Sequence, residues 1–329
     1  MRRREFLGIL GGATVARPLA ARAQQDGARR IGVLMGFAES DREGQVFVAA
    51  FREGLQKLGW AEGRNIQIEY RWTGLDRELV PRFAKELVAL QPDLILTQST
   101  PATAELLQQT RTIPIVFALV ADPIGSGFVA NFPRPEGNVT GFVTMEPTMA
   151  AKWLELLKEI APRTARVAML FNPATAPYAE YWLNPFKAAA ASFAVQAIVA
   201  PVHDTSELES AIAAQAQEPN GGLIVMPDTF TTGHRLEITS LAARHHLPAV
   251  YPYRVFAETG GLLSYGDDLT DNFRRAASYV DRILKGEKPA ELPVQAPVKF
   301  ELVINLKTAK DLGLDVPLQF QQRAEKIIE

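Results

Sequence analysis

Residues 94–119 read LILTQSTPATAELLQQTRTIPIVFAL, and the order of residue types in this stretch decides the fold class. A short apolar run at 94–97 leads through the small polar residues Gln98, Ser99 and Thr100 into a helix candidate at 103–110. A second β-branched run follows at 113–119. Strand, helix, strand in that order is a βαβ unit, whose strands lie parallel because the helical crossover carries the chain back to its starting edge. The alternation extends outward in both directions. Apolar runs recur at 31–35, 66–72, 139–143, 167–171, 195–200, 222–226, 248–251 and 262–265. Helix candidates fill the gaps at 45–58, 79–90, 149–160, 178–193, 206–215 and 234–245. In the first of these Val46, Ala49, Ala50, Phe51, Leu55 and Leu58 fall three and four apart, the spacing of one helical face.

Twisted open sheets rarely exceed about ten strands without splitting. The sequence therefore predicts an α/β protein of two doubly wound, five-stranded parallel lobes, divided near Glu146 and Pro147. After Tyr265 the pattern changes to a long helix at 272–285, a proline-rich stretch at 288–297 and one more apolar run at 298–305. A late helix and a late strand can complete the two lobes. This predicts lobe one from 29–145 plus 270–286, lobe two from 146–269 plus 287–329, and a multi-stranded hinge near 145, 269 and 287.

The first 23 residues stand apart. Arg2, Arg3 and Arg4 precede a short apolar segment at 6–15, and Ala21-Arg22-Ala23 is a small-residue cleavage motif before Gln24. This reads as an export signal cleaved after Ala23. Arg3-Arg4-Glu5-Phe6-Leu7 resembles the twin-arginine signal, with the general route as the alternative. The apolar part is about half of the roughly 20 residues that a membrane span needs.

The rest of the 329-residue chain is long enough for two domains of about 150 residues each. Formal net charge is −2 with lysines and arginines scattered, so no electrostatic footprint for nucleic acid or anionic lipid is expected. There is no cysteine, which excludes disulfides, thiolate metal sites, thiol nucleophiles and the acylated cysteine of a lipoprotein. The expectation is a freely diffusing periplasmic monomer, not lipid-anchored, that needs no metal or cofactor.

In open parallel sheets the ligand lies outside the carboxyl ends of the strands, so the residues just after each run carry the functional information. Two roles suit Ser99 and Thr100: their hydroxyls and the free N–H groups behind them can hold a carboxylate at the positive end of a helix, or they can simply cap it. Asp228 and Asp267 suit an ammonium partner or the opening of a turn. Asp122 and Asn172 lie at further strand ends. The aromatic residues Phe37, Phe117, Phe171, Phe230, Tyr251, Tyr253 and Tyr265 can sandwich a flat side chain or complete the core. Tyr251, beside a proline, is the favoured stacking residue.

Signals for catalysis are weak. His203, His234, His245 and His246 show no metal-ligand spacing, and no G-x-S-x-G elbow, phosphate loop or G-x-G-x-x-G follows a strand.

Five segments in order, GWAEGRNIQIEYRW (59–72), IPIVFALVADP (113–123), GNVTGF (137–142), GGLLSYG (260–266) and LKGEKPAELPVQAPVKFELVINLKTAKDLGL (284–314), resemble the substrate-binding proteins of the tryptophan/tyrosine-type ABC uptake family. The resemblance implies a type I periplasmic binding fold that closes on a small ligand and delivers it to a membrane permease driven by an ATPase, meeting the membrane only through that permease. Relatives of this kind are associated with aromatic amino acids, and the ligand expected here is an amino acid, aromatic or branched, or an aromatic carboxylate. By position, Ser99, Thr100 and Ala118 would meet the ligand from lobe one, and Asn172, Asp228, Tyr251 and Asp267 from lobe two. Two other readings stay open: a sensing lobe for a membrane receptor, and an enzyme on the same architecture.

Overall fold

The computed structural model describes residues 27–329, so the expected export signal and its cleavage site after Ala23 lie outside the described residues. The first sheet is parallel throughout, in the order β2-β1-β3-β4-β5. Its strands are β1 (Arg29–Met35), β2 (Ile66–Trp72), β3 (Leu94–Gln98), β4 (Ile115–Val120) and β5 (Val139–Val143). The opening βαβ unit is thus β3, the helix α3 (Thr100–Gln109) and β4, with β3 and β4 adjacent and parallel.

The second sheet has seven strands: the five expected from the alternation, the late strand expected at 298–305, and a short seventh. Its order is β12-β11-β10-β9-β8-β6-β7, from β6 (Arg166–Phe171), β7 (Gln196–Pro201), β8 (Gly221–Val225), β9 (Ala249–Tyr251), β10 (Leu263–Asp267), β11 (Phe300–Asn305) and β12 (Lys326–Ile328). β11 returns antiparallel to β10, the kind of antiparallel addition that mixed sheets carry beside a parallel core. β12 spans three residues and pairs with β11 alone.

Helix α1 (Arg42–Lys57) begins where the Asp41 carboxylate accepts from the N–H groups of Glu43 and Gly44, at 2.9 and 3.4 Å. Its inward face is Phe47, Val48, Ala50, Phe51 and Leu55, while Val46, Ala49 and Leu58 face solvent. The buried stripe is thus rotated from the one expected. The late helix α10 (Leu269–Leu284) packs along α1 and covers the first sheet, with the Phe47 and Phe273 rings stacked at 4.9 Å. Gly54 permits that approach, since a β-carbon there would lie 2.7 Å from Ala277 Cβ and 2.9 Å from the Arg274 carbonyl oxygen.

The chain crosses between the sheets after β5, after β10 and before β11. The last crossing lies near 297, not 287. The proline-rich stretch forms a single 3-10 turn (Pro289–Glu291) and stays on the first sheet. Thr140 Oγ1 donates to the Leu292 carbonyl at 2.6 Å, and Val143 N–H and Gly141 C=O pair with Gln295 at 3.0 and 2.9 Å. Prolines cannot donate along a strand, so this segment runs beside β5 without extending the sheet. Asn272 ties two crossings together, donating to the Val143 carbonyl at 3.3 Å and to Asp267 Oδ2 at 3.1 Å.

Candidate functional site

The carboxyl ends of β1, β3 and β4 face residues 227–233 and Tyr253 of the second lobe across a cleft with two joined chambers. The inner one encloses about 140 Å³ and the outer about 640 Å³, and Gly36, Leu75, Ser99, Pro101 and Thr229 border both.

The inner floor is strained. Ser99 has φ +85° and ψ 154°, a conformation nearly confined to glycine, and Leu119 has φ +63° where the β4–β5 register shifts. Ser99 is held there from both sides. Its N–H donates to the Ala118 carbonyl at 3.3 Å, and its carbonyl accepts from Thr103 N–H and Oγ1 at 3.2 and 2.8 Å. Its side chain makes no capping bond to α3. The hydroxyl is therefore available at the start of a ten-residue helix whose first-turn N–H groups, at Thr100 and Ala102, have no intrahelical acceptor. That end of the helix favours an anion.

On the facing lobe Asp228 caps the short helix α7 (Thr229–Gly233). Oδ1 accepts from Thr231 N–H at 2.8 Å and Thr175 Oγ1 at 2.9 Å, and Oδ2 accepts from Asn172 N–H at 3.2 Å. Burial outweighs these bonds and pushes the carboxyl up from 3.8 to about 6. A carboxylate so desolvated, with lone-pair capacity left on Oδ2, is matched to a cation. Beside it the Tyr178 hydroxyl donates to the Pro227 carbonyl at 2.7 Å, and Tyr253, 7% exposed, borders the chamber with a hydroxyl that burial raises well above its usual range. Phe37, Leu75, Leu119 and Leu269 supply apolar wall.

Of the residues singled out in the sequence, Phe37, Ser99, Thr100, Asp228 and Tyr253 border the inner chamber and Asn172 and Phe230 the outer one. Phe117 and Phe171 border neither, and five others do not reach either. Ala118 is fully buried beneath the β4 bulge, and only its carbonyl acts, on Ser99. Asp122 opens a turn, accepting from Gly125 N–H at 2.7 Å. Tyr251 is still inside β9, with its ring stacked on Phe256 at 5.0 Å and 1% exposed. Tyr265 stacks on Phe300 at 6.1 Å, away from both chambers. Asp267 is committed to the hinge through Asn272, and burial raises it to about 7.

The residues missed are Tyr178, Leu75 and Leu119, with Tyr253 noted only as one strand-end aromatic among several. Tyr178 and Tyr253 each follow a proline just past a strand or at a helix start, and that pairing was the one signal available. Of the histidines, His203 and His234 border the outer chamber, bonded to Glu207 Oε2 at 2.7 Å and to the Phe230 carbonyl at 2.9 Å. Among the described residues no cluster of three or more His, Asp or Glu is placed to hold a metal ion, and no helix is long and apolar enough to cross a membrane.

Residues 39–328 match the family described as ABC transporter substrate binding protein. The chain is 24% identical over 264 residues to a tyrosine-binding protein of Clostridioides difficile, an overlap covering 80% of this chain and 75% of that one. It is also similar to the crystal structure of an ABC domain in complex with L-Trp from Streptococcus pneumoniae. The TM-score is 0.84 at 27% identity, covering 92% of this chain and all of that one. A conserved domain protein from Vibrio cholerae superimposes equally well, with TM-score 0.84 and 27% identity over 91% of this chain and 99% of that one. The fold is that of the type I periplasmic binding proteins.

Proposed function

The chain belongs to the family of ABC transporter substrate-binding proteins, and from that premise we propose that its cleft captures an L-amino acid with an aromatic side chain for delivery to a membrane permease. The observation that carries this reading is the opposition of two poles across one small chamber. The α3 N-terminus with Ser99 and Thr100 stands on one lobe and the desolvated Asp228 carboxylate on the other. A zwitterion presents a carboxylate and an ammonium at matching ends, and neither pole alone would select it.

The apolar wall of Phe37, Leu75, Leu119 and Leu269 suits a ring, and so does the size. An apolar cavity of about 150 Å³ holds benzene, and the inner chamber encloses about 140 Å³. A larger ligand extends toward the outer chamber past Leu75. The tyrosine and tryptophan recorded for the relatives support the same class.

Capture by lobe closure makes and breaks no covalent bond, so the weak catalytic signals in the sequence fit it. The proposal includes export by residues 1–23, cleavage after Ala23, and a monomer free in the periplasm without a lipid anchor.

Titration calorimetry of the purified protein against the twenty amino acids and simple aromatic carboxylates tests the reading, with native mass spectrometry for a co-purified solute. Tight binding of tryptophan, tyrosine or phenylalanine over leucine and over their deaminated analogues is expected. Preference for the deaminated acids would remove Asp228 as the ammonium partner. Binding of none of these compounds would overturn the ligand class.

A further inference from the structure

Three contacts span the mouth of the cleft, and one short segment of the second lobe makes all of them. Gly36 lies against Thr229, where a β-carbon would stand 3.3 Å from Thr229 Cγ2. Leu75 lies over Gly233 so closely that a β-carbon there would collide with it. Arg235, the first residue of α8 (Arg235–Arg244), donates from Nη2 to Asp41 Oδ2 at 2.9 Å. The segment 228–235 therefore begins at the Asp228 pole of the chamber and ends in an ion pair with the other lobe.

That pair differs from the surface bridges of this protein. The two side chains are 12% and 17% exposed, so solvent screens them little. Each is positioned by its own lobe before they meet. Asp41 Oδ1 caps α1 through Glu43 and Gly44, and Arg235 Nη1 donates to the Thr232 carbonyl at 3.1 Å. Little side-chain entropy is then lost when the pair forms. The charges around it act in the same direction. Glu43, in the first turn of α1, is raised by burial and by Glu258 across the seam, and Arg235 and Arg254 offset part of this. Without Arg235 the acids of the two lobes lose one of the cations that offset them, while Arg254 and Lys326 are already engaged by Glu258, and Arg254 by Glu301 as well.

We propose that Asp41 and Arg235 are a positioning pair for ligand capture: they hold the lobes shut over the chamber, so that part of the affinity resides in an arginine that borders neither chamber. This rests on the capture function proposed above. Asp41 also borders the inner chamber, so Arg235 is the residue that isolates closure from ligand contact.

The absence of cysteine in the chain allows a clean test. Ala49→Cys on α1 and Ser240→Cys on α8, both exposed, carry a spin-label pair that reports the distance between the lobes with and without saturating L-tryptophan. Arg235→Gln is expected to move population from the short to the long distance and to weaken tryptophan binding by at least about tenfold, mainly through faster release. Asp41→Asn, which keeps an oxygen for the α1 cap, is expected to add little further loss in the Arg235→Gln background. Losses that add in full would make Asp41 a ligand contact and overturn the pair. So would distances and affinity left within about twofold by Arg235→Gln, or a wild type that never reaches the short distance. Failure of wild type to bind tryptophan or tyrosine would sink the ligand class alone, since the ligand-free distances still decide between the paired and unpaired seam.

Discussion

Ser99 and Leu119 stand side by side at the ends of two paired strands, both at positive φ, +85° and +63°. Neither is glycine, and strain of this kind costs about 1–3 kcal/mol per residue. The strain at Ser99 turns the chain so that a side-chain hydroxyl meets the first turn of α3 at the chamber floor. Ser99→Gly is expected to raise stability by about 1 kcal/mol, relief of strain exceeding the entropy cost of glycine. It should also weaken ligand binding, because the hydroxyl is gone. Ser99→Ala should leave stability nearly unchanged and weaken binding to the same degree. Thermal denaturation and calorimetry on the two variants separate these effects; equal affinity in all three proteins would remove Ser99 from the site.

Asp228 and Asp267 are raised from 3.8 to about 6 and about 7 by burial. A carboxyl whose folded-state pKa lies above its unfolded value stabilises the fold fully below the unfolded pKa and loses that contribution as pH rises through the folded one. The ligand-free protein is therefore expected to lose stability from these two groups between pH 4 and 7. An ammonium bound at Asp228 supplies the missing counter-charge, so stabilisation by ligand should grow over the same interval. Melting temperatures against pH, with and without tryptophan, check both slopes. Asp267→Asn should flatten the ligand-free slope near pH 7 while leaving affinity intact, since Asp267 borders neither chamber. A ligand-induced shift that is constant with pH would exclude ammonium recognition by Asp228.

Two tyrosines two residues apart play different parts. Tyr251 fills the core of the second lobe against Phe256, whereas Tyr253 borders the inner chamber. Tyr251→Ala is expected to destabilise by about 3–5 kcal/mol, the range for deleting a buried aromatic ring. Tyr253→Phe should leave the melting temperature within a degree or two and reduce affinity by about tenfold, the worth of one hydrogen bond to a charged ligand group. Denaturant titrations and calorimetry distinguish them. A Tyr251→Phe variant that binds more weakly than Tyr253→Phe would reverse the assignment.

The alternation that revealed two α/β lobes was legible because buried parallel strands read as continuous apolar runs, as in 94–96 and 115–120, with amphipathic helices between. Strand ends were legible for the same reason, and so Phe37, Ser99, Thr100 and Asp228 emerged from the sequence. Three kinds of feature did not. β12, of three residues, and α7, of five, are each shorter than two periods of their own pattern, too short for a repeat to show. The strained φ of Leu119 leaves no mark on residue type. Leu75 lies on the loop after β2, an edge strand, and its place on the rim of both chambers, over Gly233 of the other lobe, follows from no apolar run. Whether Tyr251 reaches the cleft turns on whether β9 ends before or after it, a distinction finer than apolar runs define.

Gly233 and Leu75 provide the last test, because their contact exists only while the lobes are together. Gly233 ends α7 at an ordinary negative φ, so alanine is tolerated there by the backbone and is the better helix former. Its β-carbon, however, would occupy the space of the Leu75 side chain. Leu75 is 48% exposed on a loop and can move aside, which would unseat it from the rim of both chambers. Gly233→Ala is therefore expected to leave the ligand-free melting temperature unchanged or slightly raised while ligand release accelerates by about tenfold. Leu75→Ala added to it removes the collision and should recover part of the lost affinity, although Leu75→Ala alone weakens binding. Stopped-flow release rates for the four proteins complete this cycle, and strictly additive losses would show that the two residues do not meet in the ligand-bound state.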